Sequence, residues 1–143
     1  MITITRPGDA SLAHTLLRLF VGVNIATHGL VRIASTGAFA EEQVRQFAST
    51  WLPAFSVRAL STIVPSAELL IGSCVILGLA LRPALVAGVL LLCAITFGTC
   101  LREQWDAAAF QLVYACAYAG LLARSDLAWG SLDALLARQA ISK

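Results

Sequence analysis

The chain has 143 residues, 59% of them hydrophobic and 13% charged, with a net charge of +2 and a mean hydropathy of +0.82. A soluble domain is about 45–50% apolar and about 25% charged, so ten basic and eight acidic side chains are too few to clothe a water-facing surface of this apolar content. An ordinary soluble domain is thereby excluded, and nucleic-acid binding has no support, because Lys and Arg nowhere cluster among aromatics.

Residues 1–10, MITITRPGDA, are polar and do not resemble a cleaved signal peptide. The apolar run behind them is too long for the apolar region of such a peptide, so targeting falls to the first span itself. A membrane-crossing helix needs about 20 apolar residues. Four segments qualify, at about 11–33, 59–81, 84–101 and 107–124. The expected fold is one all-α domain over residues 1–143, an integral membrane four-helix bundle. Pro65 falls inside span two, where it frees a backbone carbonyl and favours a kink. Arg82-Pro83 marks a tight turn between spans two and three.

Between spans one and two, Phe39, Val44, Phe47 and Trp51 recur at helical spacing, with Glu41, Glu42, Arg45 and Gln46 among them. That pattern predicts a short amphipathic helix at the membrane interface. Trp51 and Trp105 fall where aromatic anchors are common. A second amphipathic piece, SLDALLAR at 131–138, follows the last span.

Four spans leave both termini on one side. Arg6, Arg82, Arg124, Arg138 and Lys143 lie there, with Arg18 if it snorkels; Arg32, Arg45, Arg58 and Arg102 lie opposite. The positive-inside rule then favours cytoplasmic termini and a cell inner (plasma) membrane location. No internal repeat suggests a transporter of inverted halves.

Polar residues inside the spans carry the functional signal. At 100° per residue, about the helical turn angle, His14, Arg18, Val21, Ile25, His28 and Arg32 share a narrow sector of span one, flanked by Asn24. Span two carries one carboxylate, Glu68. Span three offers Thr96 and Thr99, and span four sets Gln111, Tyr114 and Tyr118 on one face. At about 1.5 Å of rise per residue, Asn24, His28, Glu68, Gln111 and Tyr114 all fall in the outer half of the bundle. An ionised group at the bilayer centre costs at least about 2.5–3.5 kcal/mol, so Glu68 needs a proton, a partner or water. Asn24 and His28 are its nearest partners by depth. Simpler readings stand beside this one: Arg32 snorkels to the headgroups, Arg18 snorkels or pairs structurally, and Tyr114 and Tyr118 only pack. Cys74, Cys93, Cys100 and Cys116 form no CxxC and read as small core residues. Two histidines without matching acidic or thiolate neighbours make no metal site.

Three pieces of the chain share a resemblance. RLFVGVNIATHGLVR at 18–32, ELLIGSCVILGLALRPA at 68–84 and GSLDALL at 130–136 together resemble the DoxX family of small four-helix membrane proteins. The resemblance implies a membrane subunit of redox systems, related to thiosulfate:quinone oxidoreductase subunits, although relatives also have assembly or cargo roles. The family's His-Gly pair falls on His28-Gly29 and its span-two carboxylate on Glu68. Its next basic position, often Lys, is Arg32 here, and the loop at 34–58 is longer than in the shortest members. Thiosulfate oxidation is therefore not carried over.

Three functions compete. In the first, the chain is a quinone-interacting subunit of an oxidoreductase. Glu68 and His28 are then catalytic, and Asn24, Arg32, Gln111, Tyr114 and Tyr118 bind the ligand. Quinone is the expected cofactor, and nothing binds haem, flavin or metal. Electrons come from a soluble redox partner protein or a soluble reductant. In the second, the chain is a non-enzymatic assembly factor, anchor or cargo scaffold using residues 38–57. The third, a small-solute channel, requires a homo-oligomer.

Overall fold

Apolar runs long enough to cross a bilayer, broken by short polar turns, give four long helices and two short ones. The computed structural model describes residues 8–141. In chain order the helices are α1 (Asp9–Ile33), α2 (Thr36–Gln46), α3 (Ala54–Leu77), α4 (Leu81–Leu101), α5 (Trp105–Ala123) and α6 (Leu132–Ile141), with a 3-10 turn at Ser125–Leu127. Arg6 and Lys143 lie outside the described residues.

Helices α1, α3, α4 and α5 are each long and apolar enough to span a membrane. Their outer faces are as apolar as their inner ones: Phe20, Val31, Leu70, Phe110 and Leu112 are all about two-thirds exposed. In water such a surface would aggregate; in a bilayer the hydrocarbon solvates it, and the helical backbone satisfies its own polar groups. The chain is an integral membrane protein with four candidate spans. The cysteines follow the same logic and correct the expectation of core positions. Cys93 and Cys116 are exposed, since a thiol facing lipid loses nothing by leaving the core, Cys100 is half-buried, and Cys74, also half-buried, does pack against the core.

The bundle is built around one close contact. Helix α1 packs most extensively on α3, α3 also meets α4, α4 meets α5, and α5 closes back on α1 with the least contact. Small residues set the α1–α3 approach. A Cβ on Gly22 would stand 2.7 Å from Ile76 Cγ1, one on Gly72 would stand 2.5 Å from Ala26 N, and one on Gly29 would overlap the backbone of Pro65 and Leu69. Helix α3 continues through Pro65, which is fully buried at this contact. Val21, Ile25, Val75, Leu85, Tyr118 and Leu121 fill the centre.

Helix ends differ from the hydropathy estimate by up to five residues, for local reasons. Pro53 sits extended as the N-cap of α3, so the helix begins at Ala54, ahead of Arg58, rather than at 59. It stops at Gly78, which takes the left-handed conformation (φ 62°). The Leu79 and Gly78 amides there return to the Cys74 and Val75 carbonyls. Pro83 falls in the first turn of α4, where a missing N–H costs nothing.

Helix α2 is the predicted amphipathic helix, shorter than the stretch that suggested it. It packs on α3 with Ala40 buried. Phe47 beyond its end lies against Gly98 of α4, and Trp51 meets Phe97 edge-on at 6.4 Å. At the opposite end, the Ser131 hydroxyl caps α6, accepting from the Ala134 amide at 3.2 Å. The Asp133 carboxylate accepts from the Ala80 and Leu81 amides, at 2.8 Å each, at the start of α4.

Candidate functional site

The α1–α3 register determines what faces Glu68. With Gly29 seated on Pro65 and Leu69, Glu68 stands level with His28, and Arg32 lies one turn nearer the α2 end. The long Arg32 side chain reaches back across that turn. Its Nη1 donates to both Glu68 oxygens, at 2.9 and 3.0 Å. Glu68's partner is thus Arg32, not the Asn24 or His28 that depth alone suggested. Snorkelling away to the headgroups is likewise corrected, because the buried carboxylate draws the guanidinium inward. The Glu68 side chain is 6% exposed and that of Arg32 32%. Arg32 also lies over the Phe39 ring, 5.0 Å from its centroid, so α2 covers the pair.

Behind this pair lies a cavity of about 150 Å³. Asn24, His28 and Arg32 line it from α1, Glu68 from α3, and Gln111, Tyr114 and Tyr118 from α5; Leu91, Leu92 and Ile95 of α4 form an apolar wall. All seven residues singled out from the sequence therefore meet around one space. Asn24, His28 and Arg32 also border the open outer face of α1, beside Leu19, Phe20, Val23 and Val31. Asn24, His28 and Arg32 thus lie between the cavity and the lipid-facing side, on a helix whose contact with α5 is slight.

Hydrogen bonding within the cavity is directional. Asn24 Nδ2 donates to the Tyr114 hydroxyl at 3.2 Å. Thr99 Oγ1 donates to the Ile95 carbonyl at 2.8 Å and accepts from Gln111 Nε2 at 3.1 Å. Gln111 Oε1 and the Tyr118 hydroxyl, on residues that line the cavity, are themselves buried away from its open space and have no partner among the described residues. The Tyr118 ring packs over Gly88, where a Cβ would overlap it, so the ring holds its hydroxyl in place. Polar side chains from three helices border the cavity, which suits it to a polar guest or ordered water.

Arg18 belongs elsewhere and does not snorkel. It is 2% exposed, pressed against Gly78 and Ser131 at the end that bears the termini. His14 Nε2 there meets the Leu121 carbonyl at 3.1 Å, and Thr15 donates to the Trp129 carbonyl at 3.2 Å. Sequence reasoning named Phe39 and Thr99 without a role at the site: Phe39 covers Arg32 and Thr99 accepts from Gln111. Thr99 stands four residues after Ile95, the spacing at which a hydroxyl bonds the preceding turn, and that signal was available.

Compared with family models, curated proteins and solved structures, the chain finds no match. What stands is a four-helix protein with four candidate membrane spans.

Proposed function

We propose that the protein is a membrane subunit of a redox system that binds quinone in this cavity, as the resemblance to the DoxX family implies. One observation carries the reading: a cavity ringed by polar side chains from three helices shares Asn24, His28 and Arg32 with the open, lipid-facing side of α1. A cavity of about 150 Å³ takes a single unsubstituted six-membered ring, so a quinone would enter by its ring edge, with its substituents and isoprenoid tail along the lipid-facing side of α1. When bound, quinone supplies a two-electron, two-proton couple. The electrons come from a soluble reductant or a redox partner protein.

The chain's own groups divide the work. Tyr114 accepts from Asn24, so its hydroxyl proton is free to be donated to a ring oxygen. His28 at the rim is placed to exchange protons. Glu68 is occupied by Arg32; its role is to hold the rim in place rather than to relay protons freely. Basic residues near the ends of the spans favour cytoplasmic termini. With Arg18 buried and Arg32 paired, the basic count is five on the terminal side against three opposite.

Mass spectrometry of lipid extracts from gently purified protein tests the reading. Quinone is expected with the wild type and lost in Leu92→Phe, which fills the cavity and spares every polar group. Quinone absent from both overturns it. A second reading, an assembly or anchoring scaffold, draws on the Arg32–Glu68 pair, whose joining of α1 to α3 is explained by helix locking alone. It predicts a stable co-purifying protein that is lost when the α2 surface is altered.

A further inference from the structure

We propose that the protein holds a zwitterionic aminophospholipid, of the phosphatidylethanolamine kind, in a cleft at the end that bears the termini; this stands apart from the quinone-binding reading. The cleft opens where α4 begins, α5 ends and α6 turns back over them. Leu81 and Arg82 line it from α4, Leu122 from α5, Ser125 and Asp126 from the 3-10 turn, and Asp133 from α6. Its depth follows from the helices around it. Leu81 is the first residue of one candidate span and Ala123 the last of another, so the cleft lies level with lipid headgroups. Helix α6 agrees: Leu135 and Leu136 stay 50% and 55% exposed, an apolar face that a bilayer surface accepts more readily than water does.

Three charged side chains line the cleft, and they are not equally free. Asp133 is engaged, because its two carboxylate oxygens accept from the Ala80 and Leu81 amides. Asp126 has only a loose contact, its Oδ1 lying 3.4 Å from Arg124 Nε with the two side chains 65% and 61% exposed. Arg82 is exposed and makes no hydrogen bond or ion pair among the described residues. One cation and one carboxylate thus remain on offer, with the Ser125 hydroxyl beside them as a further donor. A guanidinium matches a lipid phosphate through charge-assisted hydrogen bonds, and a carboxylate matches a primary ammonium. An ethanolamine headgroup carries both partners and satisfies both side chains at once. A glycerol headgroup brings the phosphate but no cation, and its net negative charge meets Asp126 and Asp133. A choline headgroup brings the cation without any N–H to donate. The apolar tails have a path as well. Val86 and Leu90 follow Arg82 at one and two turns along α4 and are 44% and 65% exposed, so the helix face below the headgroup is open to acyl chains.

The test is native mass spectrometry of the full chain, stripped of lipid in detergent and titrated separately with dioleoyl phosphatidylethanolamine, phosphatidylcholine and phosphatidylglycerol. Wild type is expected to bind the ethanolamine lipid about two- to fivefold more tightly than either other, the range of an exposed charge pair. Arg82→Gln is expected to weaken all three by removing the phosphate partner. Asp126→Asn is expected to bring the ethanolamine lipid down to the choline lipid and to strengthen the glycerol lipid. Both positions are exposed, and melting temperatures show that each variant is folded; if one is not, the wild-type order of the three lipids decides by itself. A glycerol lipid bound as tightly as the ethanolamine lipid in wild type, or a preference unchanged in Asp126→Asn, overturns the proposal. Free phosphoethanolamine at the same concentration is expected to leave the lipid bound. If it displaces half of the lipid, the site takes a soluble headgroup compound and the lipid assignment fails.

Discussion

Arg32 on α1 and Glu68 on α3 form a pair in which one nitrogen, Nη1, donates to both carboxylate oxygens at 2.9 and 3.0 Å. The two partners are unequal in burial, the Arg32 side chain being 32% exposed and the Glu68 side chain 6%. Their removal should therefore be unequal in effect. Taking one partner from a buried pair costs about 3–5 kcal/mol, because a charge is left without compensation. Arg32→Ala strands Glu68 among apolar helices and should approach that figure. Glu68→Gln leaves Arg32 free to swing toward the α2 end and should cost clearly less. Melting in detergent checks the order, and equal losses would mean that the pair is solvated from both sides.

Glycines in the α1–α3 contact and on α5 make opposite predictions. A Cβ on Gly29 would collide with backbone rather than with a movable side chain, so Gly29→Ala must push the two helices apart. Overpacking costs typically about 1–3 kcal/mol, and the shift also displaces Arg32 from Glu68. Gly120 on α5 has nothing within 4 Å, so Gly120→Ala should be neutral or gain up to about 1 kcal/mol of helix propensity. Unfolding of the two variants side by side distinguishes a packing role from a general sensitivity to added bulk.

Much of this was legible in the sequence, and the exceptions share a cause. Periodicity placed Asn24, His28 and Arg32 on one edge of span one, and Gln111, Tyr114 and Tyr118 on one face of span four, because helical angle is fixed by residue number alone. Matched depth set Glu68 level with Asn24, one turn off from the His28 level at which the α1–α3 contact places it. It could not reveal that Arg32 reaches back one turn, since side-chain reach is a tertiary choice made by the buried carboxylate. The inward turn of Arg18 was hidden for the same reason: its place depends on Gly78 and Ser131, distant in sequence. Cysteine burial was misjudged because a rule from water was applied to side chains that face lipid. Helix starts slipped where Pro53 and Gly78, rather than hydropathy, set the ends.

Asp133 ties the C-terminal helix to the bundle. Its carboxylate accepts from the Ala80 and Leu81 amides, and its own amide donates to the Gly78 carbonyl at 3.1 Å. Asp133 thus closes the turn between α3 and α4 from outside it, adding an anion where the helix dipole favours one. Asp133→Ala should cost about 0.5–2 kcal/mol, the usual loss for a cap. Because the amide bond to Gly78 remains, α6 should loosen rather than detach. Limited proteolysis near residues 125–131 should quicken while the spans stay protected. If cleavage stays at the wild-type rate, α6 is held by its apolar contacts instead.

Helix α2 is fastened by exposed charges, which gives it a pH dependence of its own. Glu41 pairs with Arg58, Glu42 with Arg45, and Arg102 Nη1 donates to Gln43 at 3.4 Å. The Gln46 amide, followed by Arg45, holds the Glu42 carboxyl below its ordinary value of 4.5. A carboxyl lowered on folding stabilises the fold fully above its unfolded value, and that contribution fades as pH falls through the lower, folded one. Because Arg45 and Gln46 lie on α2 itself, this contribution is to the helix's own order, which should be constant from neutrality down to about 4.5 and weaken only in stronger acid. Surface pairs contribute little each, so the expected sign is early opening of α2 rather than unfolding of the bundle. Hydrogen exchange across 36–46 should rise in acid ahead of exchange in α3. Glu42→Gln should remove part of that rise by making the position indifferent to protonation. Exchange that rises together in α2 and α3 would mean that the helix is held by Phe39 and Phe47, and that its charges are incidental.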